Sequence, residues 1–135
     1  MYPNTHSMIQ LLAGFWDRLG MGVSGLCAIH CMMTPVLVSL LPVWPSLEMY
    51  HDYSHFAFFL VIAPVVYFSL KKRHDNKQVF LLMIVGLAII FSAWLFRNAL
   101  GEYGESLVTL AGSTLLIRGH WLNYKNKCSI KYETA

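Results

Sequence analysis

The sequence predicts an all-α integral membrane protein, a four-helix bundle with short loops forming a single membrane domain over residues 1–135. Three observations predict it. Apolar residues make up 56% of the chain and charged residues only 13%, against about 25% charged in a soluble domain. The apolar residues come in long runs, with a mean hydropathy of +0.50. The charges fall between the runs, as they do when apolar stretches cross a bilayer and only their connections meet water.

The first span covers approximately 19–41. At about 1.5 Å per residue it reaches about 35 Å, enough for a hydrocarbon core of about 30 Å. It contains Pro35 and runs into Pro42 and Pro45. The second, 55–70, contains Pro64, with a helical lead-in from Glu48. The third, 79–96, has neither charge nor proline. The fourth, 107–121, is shorter and more polar, with Arg118 and His120 inside it.

The loops orient the bundle. The first has no Lys or Arg and carries Glu48 and Asp52. The second holds Lys71, Lys72, Arg73 and Lys77, and the C-terminal tail holds Lys125, Lys127 and Lys131. Basic residues stay cytoplasmic, so the second loop and both termini are expected inside. No basic segment leads into a short apolar region at the N-terminus, so the first span is expected to be retained. No basic stripe interleaved with aromatics suggests a nucleic-acid partner.

The chain has 3 cysteines, Cys27, Cys31 and Cys128. An odd number, two of them inside an apolar helix, is not a disulfide framework. Cys27, His30 and Cys31 stand at i, i+3 and i+4 and share a helix face within about 100°. Ser24 and Thr34 extend that polar stripe, and Pro35 cannot donate to the Cys31 carbonyl four residues back. Polar groups and irregular backbone at membrane depth face protein or a wet cavity. Two sulfurs and an imidazole suit Hg(II), Cu(I) or Zn(II). A lone buried Cys or His is usually structural; three together on one face at the midplane point to metal binding.

Glu48, His51, Asp52 and His55 follow at i, i+3, i+4 and i+7, on one face if helical. Carboxylates and imidazoles suit Zn(II) at the outer mouth; the competing reading is a solvated amphipathic turn anchored by Tyr50 and Tyr53. On the inner side, His120 is expected in a polar cluster with Arg118 and Asn123, near His74 and Cys128. Arg118 and the loop lysines are expected to snorkel to lipid phosphates.

Asp17-Arg18-Leu19-Gly20, Ser24, Cys27-Ala28-Ile29-His30-Cys31 and Thr34-Pro35 resemble the opening of the MerC family of mercury-resistance membrane proteins. The resemblance continues through Pro42, His55 and His74 to Thr109-Leu110-Ala111-Gly112-Ser113, His120, Leu122-Asn123 and Cys128. It implies a multi-pass protein of the bacterial inner membrane that passes Hg(II) inward for reduction, with Cys27 and Cys31 as the relay pair. The family's second thiol pair is incomplete here, because Cys128 stands alone in the tail.

The expected function is heavy-metal ion transport by ligand exchange, not enzymatic turnover. The ion is Hg(II) or Zn(II), with no prosthetic group. The expected partners are the bilayer, a cytoplasmic thiol acceptor and a second copy of the chain, paired through the uncharged third helix or a Thr109/Ser113 face. A zinc transporter of the same fold is one alternative. A membrane thiol oxidoreductase is another, although such enzymes hold their Cys pair at a membrane surface. A haem-binding bundle needs two axial ligands at one depth, and no histidine partner for His30 is expected at the midplane.

Overall fold

The computed structural model describes residues 5–40, 46–71 and 76–133, and within them the side chains of 14–36, 39, 53–71, 76–101 and 103–126. The described residues are almost all helical, with no strand among them. Four helices follow in order: α1 (Thr5–Leu40), α2 (Ser46–Lys71), α3 (Lys77–Leu95) and α4 (Arg97–Glu133). Gly101 interrupts α4 at φ 67°, ψ 173°, a backbone conformation open to glycine and costly for other residues. The last helix is therefore a short piece followed by a long one. That makes five helical segments where the spans alone predict four.

The helices outrun the predicted spans. α1 has 36 residues and continues N-terminally past Asp17 and Arg18. Hydropathy marks where a helix meets lipid and says nothing about where its hydrogen bonding stops. α3 starts at Lys77, two residues before the predicted span, because Asn76 caps it by accepting a hydrogen bond from the Gln78 amide at 3.0 Å. α3 and α4 are joined almost directly through Phe96, whose N–H donates to the Ser92 carbonyl at 2.9 Å.

The bundle is inverted relative to a soluble protein. Leu26, Ile29, Met32 and Met33 on α1, and Leu60, Leu81 and Leu107 on the other helices, lie exposed. Asp17, Ser24, Thr34, His55, Ser69, Glu105, Thr109, Ser113, His120 and Asn123 lie buried. Water would favour the opposite arrangement, whereas lipid solvates the apolar side chains and drives polar groups inward. Among the described residues, three helices are long and apolar enough to cross a membrane, over Gly14–Val36, Tyr53–Lys71 and Lys77–Leu95.

Neighbouring helices pack antiparallel. Asp17 on α1 meets Ser69 on α2 and Asn123 on α4, while His30 meets His55 further along. The buried stripe of α1 is Asp17, Gly20, Ser24, Cys27, Cys31 and Thr34, alternating steps of three and four that keep one seam facing its neighbours. α3 buries Val79, Met83, Gly86, Ile90 and Ala93 by the same rule. α4 fits between them.

Candidate metal centre

The stripe on α1 places Cys31 against α2, where His55 comes into reach. One ligand atom each from His30, Cys31 and His55 lies within 4.8 Å of the others. Cys31 and His55 are buried and His30 is half-buried. The two imidazoles meet edge to face, with centroids 5.5 Å apart at 70°. Phe58, one turn along α2, packs on His30 at 5.4 Å. The Thr34 hydroxyl donates to the His30 carbonyl at 2.8 Å, so it tightens the backbone beneath the site.

Cys27 stands one turn away from Cys31, close to the centre of the Gly14–Val36 stretch. Both cysteines are buried free thiols. Their thiol groups interact with each other, and α4 brings Ser113 against Cys27 and the buried carboxyl of Glu105 near Cys31. Two soft sulfurs therefore adjoin two imidazoles, with a carboxylate beside them. That is a ligand set for a soft or borderline divalent cation.

Four expectations change. His55 gains neighbours on another helix: it turns inward and joins His30 and Cys31. Of its expected companions, Glu48, His51 and Asp52 lie outside the described side chains, as do His74 and Cys128. His30 does have a histidine at its own depth, because α2 runs antiparallel to α1 and returns His55 to that level. The edge-to-face contact of the two rings leaves no slot for a macrocycle between them. The cluster also does not sit at a single depth. Cys27 is central, while Cys31, His30 and His55 lie towards one end of their spans. The proposed dimer face of Thr109 and Ser113 is buried inside the chain.

At the other end of the bundle His120 is buried, not at an interface, and its partner is not Arg118, which is exposed. Its Nδ1 lies 3.4 Å from Asp17 Oδ1, both side chains being 0% exposed. Asn123 Nδ2 donates to the same oxygen at 2.9 Å and to Ser69 Oγ at 3.0 Å. The Ser69 hydroxyl donates to Asp17 Oδ1 as well. Asp17 reads in the sequence as a charge before the first span, yet it stands on the same three-and-four stripe as Cys27 and Cys31, and that spacing could have found it. Arg18, the next residue, turns out to Tyr124, with a hydrogen bond of 2.9 Å.

The family described as MerC mercury resistance protein matches residues 17–125, which takes in the thiols, His55, Glu105 and the Asp17–His120 pair. No curated protein and no solved structure matches the chain.

Proposed function

The chain belongs to the MerC mercury resistance protein family, and from that membership we propose that it carries mercuric ion across the bacterial inner membrane by ligand exchange. The observation that supports this most is the convergence of His30, Cys31 and His55 within 4.8 Å inside the apolar bundle. Ionisable and metal-ligating side chains at membrane depth are costly and mark a path for an ion.

The basic second loop and tail set the orientation, with both termini cytoplasmic. α4 is the fourth crossing. Its low hydropathy comes from a polar stripe turned inward, so lipid does not meet it. The ion arrives from outside, where Glu48, His51 and Asp52 attract it, and binds His30, Cys31 and His55. It then passes to the Cys31–Cys27 pair one turn deeper. In each transfer one metal–ligand bond forms as another breaks, and the oxidation state of the metal stays the same. Each station binds well enough to attract the ion and weakly enough to release it. Cys128 or a soluble cytoplasmic thiol takes it at the end.

Uptake of radiolabelled Hg(II) into proteoliposomes loaded with a thiol acceptor tests the proposal. The Cys27→Ser/Cys31→Ser double variant is expected to fall to the level of empty liposomes. Uptake at the unsubstituted rate by that variant would sink it. A second reading, Zn(II) transport, is favoured by one observation: the close group has two imidazoles and one thiolate, a set zinc accepts readily. Uptake of labelled Zn(II) that excess Hg(II) fails to compete away would favour zinc.

A further inference from the structure

Away from the thiols, at the end of the bundle that carries Lys71 and Lys125, three helices converge on one carboxylate oxygen. Asp17 Oδ1 on α1 receives hydrogen bonds from Ser69 on α2 and Asn123 on α4, and His120 Nδ1 lies 3.4 Å away. These groups stand about 20 Å along α1 from Cys31, too far to support the thiol site directly. All four are buried.

The orientation of His120 is informative. Its Nδ1 edge is turned to Asp17, which leaves Nε2 as the nitrogen open to a ligand. Nε2 is buried and has no hydrogen-bond partner among the described residues. A buried polar atom left in that state is costly and calls for an explanation. The ring lies directly on Gly20. A Cβ there would fall 2.4 Å from both Cε1 and Nε2, so any larger residue would push the ring off. A carboxylate holding one imidazole nitrogen while the other is presented is how metal-ligating histidines are oriented. Between this pair and Cys27, the buried hydroxyl oxygen of Ser24 on α1 is likewise without a hydrogen-bond partner among the described residues, and Ser113 on α4 stands against the Cys27 thiol. A line of buried polar atoms therefore joins the thiols to His120.

We infer that His120 is a second metal station, receiving a divalent soft or borderline cation through Nε2 after it leaves Cys27, with Asp17 positioning the ring. This rests on the transport function proposed above. The metal–sulfur bond to Cys27 breaks with sulfur departing as thiolate, the ion passes the Ser24 and Ser113 hydroxyls over about 10 Å of helix, the metal–nitrogen bond to His120 forms as the last of those oxygens lets go, and no electron moves. Imidazole is a harder ligand than thiolate, so the ion is held less tightly here and passes on to a cytoplasmic thiol. Ser69 and Asn123 hold the Asp17 carboxylate in place.

The test uses the full chain in lipid nanodiscs with Cys27, Cys31 and Cys128 all replaced by Ser, titrated with Zn(II) while the ring nitrogens of ¹⁵N-labelled histidine are followed by NMR. Zn(II) is expected to shift His120 Nε2 saturably, and Asp17→Asn to weaken that binding at least about tenfold, the lower end of the cost of losing such an orienting partner. Without metal, Asp17→Asn is also expected to change the His120 tautomer, which a merely structural role for Asp17 would leave alone. Gly20→Ala keeps both residues but displaces the ring, and serves if Asp17→Asn fails to fold; it is expected to weaken Zn(II) binding similarly. No shift of His120 with Zn(II), or undiminished binding in either variant, overturns the inference. Because the titration is done without thiols, its outcome is separate from the uptake assay. A positive shift beside failed Hg(II) uptake would retire the transport function and leave the site standing.

Discussion

α4 presents two different seams to its two neighbours. Towards α3 it offers Gly112, Leu116 and Gly119, which meet Gly86, Ile90 and Met83. Towards α1 it offers Glu105, Ser113, His120 and Asn123, which meet Cys31, Cys27 and Asp17. The first seam is dry and close. A Cβ on Gly86 or Gly112 would fall 3.0 Å from the other's carbonyl oxygen, the small-residue packing that joins helices where lipid removes the usual hydrophobic drive. The second seam buries two carboxylates, one imidazole and two thiols. Holding two helices together does not require such groups, since the α3 seam manages without them. The difference assigns stability mainly to one seam and chemistry to the other.

The largest effect that sharpens this contrast is expected at Cys31, which both joins the close group with His30 and His55 and interacts with Cys27. Cys31→Ala removes a direct ligand and should weaken Hg(II) binding at least about a hundredfold, since losing only an outer partner of a ligand costs about 10–100-fold. The ultraviolet band of the mercury–thiolate bond reads this directly. Thermal unfolding of the variant should change little, because the side chain lost is small. A large loss of stability at Cys31 would break the division between the seams.

The opposite substitution belongs on the dry seam. A Cβ at Gly112 would lie 2.7 Å from Ile90 Cγ1 and 3.1 Å from Ile89 Cγ2. Gly112→Ala should therefore destabilise the bundle by about 1–3 kcal/mol, the range for overpacking, and lower its unfolding temperature in detergent. The folded fraction should bind Hg(II) with unchanged affinity. If affinity falls in step with stability, the two seams act as one unit.

The membrane class and the thiol face were legible in the sequence because both are local. Apolar runs announce themselves, and Cys27, His30 and Cys31 are one turn apart. His55 was legible as a ligand type, but its contact with α1 was not. Its spacing from Glu48, His51 and Asp52 fits a shared face, and only the antiparallel return of α2 shows that it meets α1. The Asp17–His120 pair needed contact between residues 103 positions apart, which periodicity within one helix does not report. The break at Gly101 was missed for a different reason. A glycine inside a helical stretch is often tolerated, and only its positive φ identifies it as a joint.

The smallest effect tests whether the polar seam works as a path or only as a container for the thiols. Ser113 faces Cys27 from α4, in contact with its thiol. Ser113→Ala removes that oxygen and with it one contact to a thiol, so stability should fall by no more than about 1 kcal/mol. As a container, the seam loses nothing, and both Hg(II) binding and uptake are unchanged. As a path, it loses a polar foothold beside the central thiol. Uptake should then fall several-fold, by about 1 kcal/mol of lost contact, while equilibrium binding at Cys31 is retained. Single-turnover release of preloaded Hg(II) to an external thiol separates the two, because only a path slows release while leaving loading intact.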